Sequence, residues 1–127
     1  MTIPDNLKYA KSHEWIRMDG NTATIGISDY AQGELGDVVF VDITASVDDK
    51  LSAGSSFGTI EAVKTVSDVY VPVDGRIVEI NPAITDDPEI INKDPYGDGW
   101  MVKVEVADGA DMSALLDAAA YLEMVGA

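Results

Sequence analysis

The chain has 127 residues, 46% of them hydrophobic, with no cysteine, one histidine and a formal net charge of −15. That length suits one domain, 1–127, with enough apolar side chain to bury a core unaided. The lack of cysteine removes disulfide staples, thiolate metal sites and cysteine nucleophiles and fits a reducing compartment. The negative charge repels phosphate backbones and anionic lipid, so neither nucleic acid nor a membrane surface is an expected partner, and no apolar run nears the roughly 20 residues that span a bilayer.

Met1-Thr2-Ile3-Pro4-Asp5-Asn6-Leu7 has neither a basic flank leading into an apolar stretch nor an arginine-rich amphipathic pattern. No presequence is therefore expected, and a bacterial cytoplasm is favoured over a mitochondrial matrix. Glu14–Met18 and Thr22–Ile27 are β-prone runs joined by Asp19-Gly20-Asn21, residues that tolerate the positive φ of a tight turn, which predicts an opening hairpin. Ser28 is a good helix cap ahead of a short helical turn ending near Gly36. Val38–Ile43 reads as a buried strand, followed by a polar connection through Asp48–Gly54.

Ser56–Ile60 leads into Gly58-Thr59-Ile60-Glu61-Ala62-Val63-Lys64-Thr65-Val66-Ser67-Asp68, and Val69-Tyr70-Val71 leaves it before the Pro72-Val73-Asp74-Gly75 turn and a strand from Arg76 to Asn81. Strict alternation loses phase at Val63-Lys64. Two geometries account for this: a reversal of direction at Lys64, or one continuous strand with Lys64 on its wet face. The reversal makes residues 56–81 a hairpin region holding one lysine outward, the place for a covalent group. Gly36–Val41 and Gly75–Ile80 form a weak internal repeat, each a glycine opening a strand.

Residues 81–100 are rich in Pro, Asp, Asn and Gly, predicting an irregular excursion with a helical turn near Asp87–Ile91. Trp100–Val106 should be the last strand, and Met112–Val125 an amphipathic closing helix burying Leu115, Ala118, Ala119 and Leu122. The pattern is mainly β, a sandwich or flattened barrel with short helices and a C-terminal helix. Catalytic constellations are scarce: His13 is the lone histidine, and in an extended segment it and Glu14 point to opposite faces. Asp86, Asp87 and Glu89 lack the ligand spacing of a calcium loop and read as solvated, so no metal is expected.

Glu61–Asp68 followed by Pro72–Asn81 closely resembles the lipoyl-attachment region of the glycine cleavage system H proteins. Lys8–Trp15, Thr24–Ala31, Leu35–Val41 and Pro95–Met101 are similar to further landmarks of that family, in its order, so the resemblance covers nearly the whole chain. It implies a barrel-sandwich hybrid of two antiparallel sheets. It implies lipoate as cofactor, amide-linked to Lys64, with Glu61 and Gly75 read by lipoylating enzymes and Ser12, Glu14 and Asp68 lining a cleft for the loaded arm. The implied role is a non-catalytic, monomeric shuttle. It takes an aminomethyl group from glycine decarboxylase, a pyridoxal phosphate enzyme, to aminomethyltransferase, and dihydrolipoyl dehydrogenase reoxidises the arm. Alternatives are lipoate relay to other enzymes, a different swinging-arm carrier, and an unmodified adaptor. Biotin carriers flank their lysine with methionines, whereas Val63 and Thr65 flank Lys64 here.

Overall fold

The computed structural model describes residues 1–126. Its strands are β1 (Lys8–Tyr9), β2 (Glu14–Asp19), β3 (Thr22–Ile27), β4 (Val38–Ile43), β5 (Lys50–Leu51), β6 (Ser56–Ala62), β7 (Val66–Tyr70), β8 (Gly75–Ile80) and β9 (Val102–Val106). Its helices are α1 (Asp29–Leu35), α2 (Ala83–Asp86), α3 (Ile90–Lys93) and α4 (Ala118–Val125). The strands form two antiparallel sheets: six strands in the order β1-β2-β3-β9-β8-β5, and three in the order β4-β6-β7. The mainly β architecture expected from the pattern is the one observed, with the two antiparallel sheets that the resemblance implies.

Two apolar clusters hold it. The larger includes Ile25, Ile77 and Val104 of the six-stranded sheet with Val41, Ile60 and Val69 of the three-stranded sheet. The smaller gathers Leu7, Tyr9, Trp15, Ala118 and Tyr121, clasping α4 to β1 and β2. Burying each large side chain of this kind contributes about 1.5–3 kcal/mol.

The local reasons for the elements that frame the site are legible. Gly20 adopts φ +62 in the β2–β3 turn. Ser28 caps α1 by accepting from Ala31 N–H at 3.1 Å, and Gly36 closes it at φ 79. Val63, Lys64 and Thr65 connect β6 to β7, with Ala62 N–H donating to Thr65 O at 2.8 Å, so the loss of phase at Lys64 is a reversal of direction. The repeat-like strands β4 and β8 fall in different sheets.

Several expectations need correction. The strand over Val38–Ile43 is only half buried: a register shift between Val38 and Phe40 leaves Val39 and Phe40 54% and 51% exposed on an edge strand. The polar connection hides the short strand β5, and β1 precedes the expected opening hairpin. The excursion holds two helical turns, and buried Asn81 ties its ends by donating to Asp98 O at 2.8 Å and Trp100 O at 2.7 Å. The closing helix does not run over 112–125. Leu116 pairs with Tyr9 through N–H to O bonds of 2.8 and 2.7 Å, and α4 starts only after Asp117, whose Oδ1 accepts from Ala120 N–H at 2.8 Å. Ala118 and Tyr121 are its buried residues, while Ala119 is exposed. Pairing and capping overrode helix propensity, which is worth only tenths of a kcal/mol per residue.

Candidate functional site

Lys64 is exposed at the β6–β7 tip, with exposed Val63, Thr65 and Val66 around it. Its aliphatic stem lies on Gly36, where a Cβ would sit 3.3 Å from Lys64 Cε. Tip and saddle are joined by Val63 N–H donating to Asp37 O at 3.0 Å.

A cleft of about 300 Å³ reaches Leu35, the residue before Gly36, and is bordered by Ser12, His13 and Glu14, by Tyr30 and Glu34 on α1, and by Ser67, Asp68 and Val69 on β7. The structure thus brings Ser12, Glu14 and Asp68 together on one cleft. Asp68 is exposed, with Thr59 Oγ1 donating to it at 3.4 Å. Glu14 is only 1% exposed. Ser12 Oγ donates to Glu14 Oε1, and Tyr70 N–H donates to Oε2 at 3.1 Å. Burial pushes its carboxyl up to about 7, and the Ser12 and Tyr70 hydrogen bonds oppose that shift without cancelling it.

His13 also borders the cleft, contrary to the alternation that sets it opposite Glu14, because it adopts φ 81 in the turn before β2 and is not extended. Its Nδ1 lies 2.8 Å from the Tyr121 hydroxyl, which is 2.6 Å from Ser28 Oγ. Burial lowers the His13 pKa, with Glu34 opposing, and so favours the neutral imidazole. The Tyr121 hydroxyl thereby joins α4, the α1 cap and the cleft wall.

Glu61 is exposed on β6 opposite Val66. Gly75 is not brought to the cleft. It opens β8 in the other sheet, beside a hollow of about 630 Å³ that also includes Asn21, Lys50 and Asp108. Packing explains its lack of a side chain: a Cβ would lie 2.3 Å from Val104 Cγ1 and 2.6 Å from Glu105 O. Larger as it is, that hollow contains none of Ser12, Glu14 and Asp68, and Arg76 within it is paired with Asp48 and Glu105 at 2.5 and 3.5 Å. Among the described residues no cluster of His, Cys, Asp and Glu has the arrangement of a metal site, and no helix is long and apolar enough to cross a membrane. His13 as a cleft residue and the Tyr70 amide went unread in the sequence; the Ser-His-Glu run was the available signal for the first.

An exposed lysine at the tip of a β-hairpin and a cleft holding a desolvated carboxyl, on one two-sheet framework, form the kind of arrangement that suits a carrier domain. The family model for the glycine cleavage H-protein matches residues 7–127. Similar proteins called glycine cleavage system H protein include one from Staphylococcus haemolyticus, 52% identical over 99% of both chains, and one from Bacteroides fragilis, 54% identical over the full length of both. The crystal structure of a glycine cleavage system H protein from Mycobacterium marinum superposes with a TM-score of 0.90 at 40% identity, covering 98% of this chain and 100% of that one. The chain belongs to the glycine cleavage H-protein family.

Proposed function

We propose that the protein is the lipoyl-carrying shuttle of the glycine cleavage system, moving the aminomethyl group of glycine from glycine decarboxylase to aminomethyltransferase, with Lys64 as the attachment point. The observation that carries this reading is the conjunction of an exposed tip lysine, its stem on Gly36, with a roughly 300 Å³ cleft that reaches the neighbouring Leu35 and contains a buried carboxylate. A volume of that size lies at the small end of ligand pockets, suited to one slender chain. Lipoate, joined as an amide to Lys64 Nζ, supplies a redox-active disulfide on a long tether.

The work of the chain itself is to hold, orient and shelter. β6 and β7 present the lysine, while Ser12 and the Tyr70 amide fix the Glu14 carboxylate toward the cleft. A cationic amine entering there meets a carboxyl titrating near 7, stabilises its ionised form and releases a proton to solvent. The contact is a charge-assisted hydrogen bond away from bulk water, which slows hydrolytic loss of the load. Ser12, Glu14 and Asp68 are binding residues in this scheme. Exposed Glu61 is offered to lipoylating enzymes at the tip, and Gly75 serves their recognition by seating β8 against β9.

The chain is a non-catalytic component in this reading: its membership of the glycine cleavage H-protein family supports a carrier, in which Ser12 and Tyr70 hold Glu14 to bind the load. Lysine and cleft lie on one chain, which supports work as a monomer visiting glycine decarboxylase, aminomethyltransferase, dihydrolipoyl dehydrogenase and the lipoylating enzymes. The names of the bacterial relatives support the shuttle over lipoate relay, and their source supports a cytoplasmic setting. The test is a reconstituted glycine cleavage assay with Glu14→Ala: the loaded form should decay several-fold faster than wild type. An unchanged lifetime would remove Glu14 from the sheltering role.

A further inference from the structure

Asn92, in the single turn of α3, spends one carboxamide on both sides of a single residue at the site. Its Oδ1 accepts from Val38 N–H at 2.8 Å, and its Nδ2 donates to Gly36 O at 2.9 Å and to Gln32 Oε1 at 3.0 Å. Between those two backbone contacts sits Asp37, whose carbonyl accepts from the Val63 amide at the hairpin tip, 3.0 Å away. The bracketed segment is intrinsically pliable: Gly36 adopts φ 79, ψ −159, a conformation essentially restricted to glycine, and it is the surface on which the Lys64 stem rests.

The ladder ends at the Val38–Ala62 and Glu61–Val66 pairs; past it the tip has the turn's own Ala62–Thr65 hydrogen bond, and Val63 through Thr65 are exposed and contribute no core packing. The Val63–Asp37 bond ties the tip to the body of the protein, and it holds the tip only as firmly as Asp37 is held. We propose that Asn92 is a positioning residue for Lys64, bracketing Asp37 so that the β6–β7 tip presents its lysine in one orientation to the enzyme that modifies it. The inference rests on the reading of Lys64 as the lipoyl attachment point. It also gives the irregular 81–100 excursion a task, since α3 is the element that delivers the carboxamide.

The experiment uses the full chain with Asn92→Ala and Asn92→Asp. The second variant keeps an acceptor for Val38 N–H and replaces the donor to Gly36 O with a second acceptor. Two quantities are measured on each: backbone amide exchange, and the steady-state kinetics of modification by an ATP-dependent lipoate ligase with lipoic acid. In both variants Val63 amide exchange should accelerate about five- to tenfold, as expected for loss of a local restraint, while the core amides of Ile25 and Val104 stay at wild-type rates. Ligase kcat/KM should fall about three- to tenfold.

Wild-type exchange at Val63 in both variants would overturn the proposal. So would equal acceleration at Ile25 and Val104, which makes Asn92 a general stabiliser, or faster Val63 exchange with unchanged ligase kinetics, which separates the bracket from recognition. Failure of the wild-type protein itself to be modified at Lys64 sinks the carrier reading, and this inference with it, and is distinguished from the other outcomes by needing no variant.

Discussion

Lys64 and Glu14, which the proposed function assigns to one site, differ in exposure and in how they are held. The lysine stands exposed on a reversal whose neighbours are also exposed, whereas the glutamate is 1% exposed, hydrogen-bonded by Ser12 and Tyr70, and pushed up to about 7 by burial. In the proposed role Lys64 must be reached by several proteins, and it stands where burial contributes nothing. A group that must meet one charge in a sheltered place is held where desolvation is costly. Function and stability should therefore respond to opposite ends of the site.

The sharpest break is Lys64→Arg. Covalent loading and glycine cleavage activity should be lost completely, while the stability change stays within about 0.5 kcal/mol, as for other exposed positions. Thermal unfolding beside a reconstituted turnover assay checks both halves, and normal turnover would contradict the separation.

Next in size is Gly75→Ala, where the new methyl must displace the Val104 side chain and the Glu105 backbone. Stability should fall by about 3 kcal/mol, the upper end of the usual overpacking cost. Lipoylation per folded molecule should hold at the wild-type rate if Gly75 aids recognition only by seating β8. Urea denaturation with ligase kinetics at low temperature reads the two effects apart, and a slower rate per folded molecule would give Gly75 a direct part in recognition.

Glu14→Gln comes third and carries a pH signature. Above about pH 4.5 the unfolded chain has given up a proton that folded Glu14 keeps until about 7, so wild-type stability declines across that window and the loss is complete above it. Glutamine can turn its oxygen to Tyr70 N–H and its amide to Ser12 without carrying charge. The variant should match wild type near pH 4 and exceed it by about 2–3 kcal/mol at pH 8. Parallel pH profiles of the two proteins would refute the buried carboxyl. The smallest change is Tyr121→Phe, which strips a partner from buried Ser28 and from His13 and should cost about 1–2 kcal/mol in urea denaturation with no change in loading at Lys64.

The same contrast explains what could be read in the chain. The phase break at Val63-Lys64 was legible because it is a local event, though it left a reversal and a continuous strand both open, and the turn at Gly20 and the Ser28 cap are local as well. The burial of Glu14 was not, since it depends on the amide of Tyr70 fifty-six positions away and on α1 covering the cleft. His13 was misplaced because alternation presumes an extended backbone, and its φ of 81 abolishes that premise. The overlong closing helix repeats the lesson: alanine and leucine content pointed to 112–125, but the decisive features were the Leu116–Tyr9 pairing and the Asp117 cap, only the second of which is visible locally.

The most direct measurement is the intact mass of the full chain coexpressed with a lipoate ligase and fed lipoic acid, followed by peptide mapping. A single added lipoyl amide on the peptide containing Lys64, absent from Lys64→Arg, is the predicted result. Protein that stays unmodified beside a ligase active on another carrier, or a lipoyl group on a different lysine, would contradict the account.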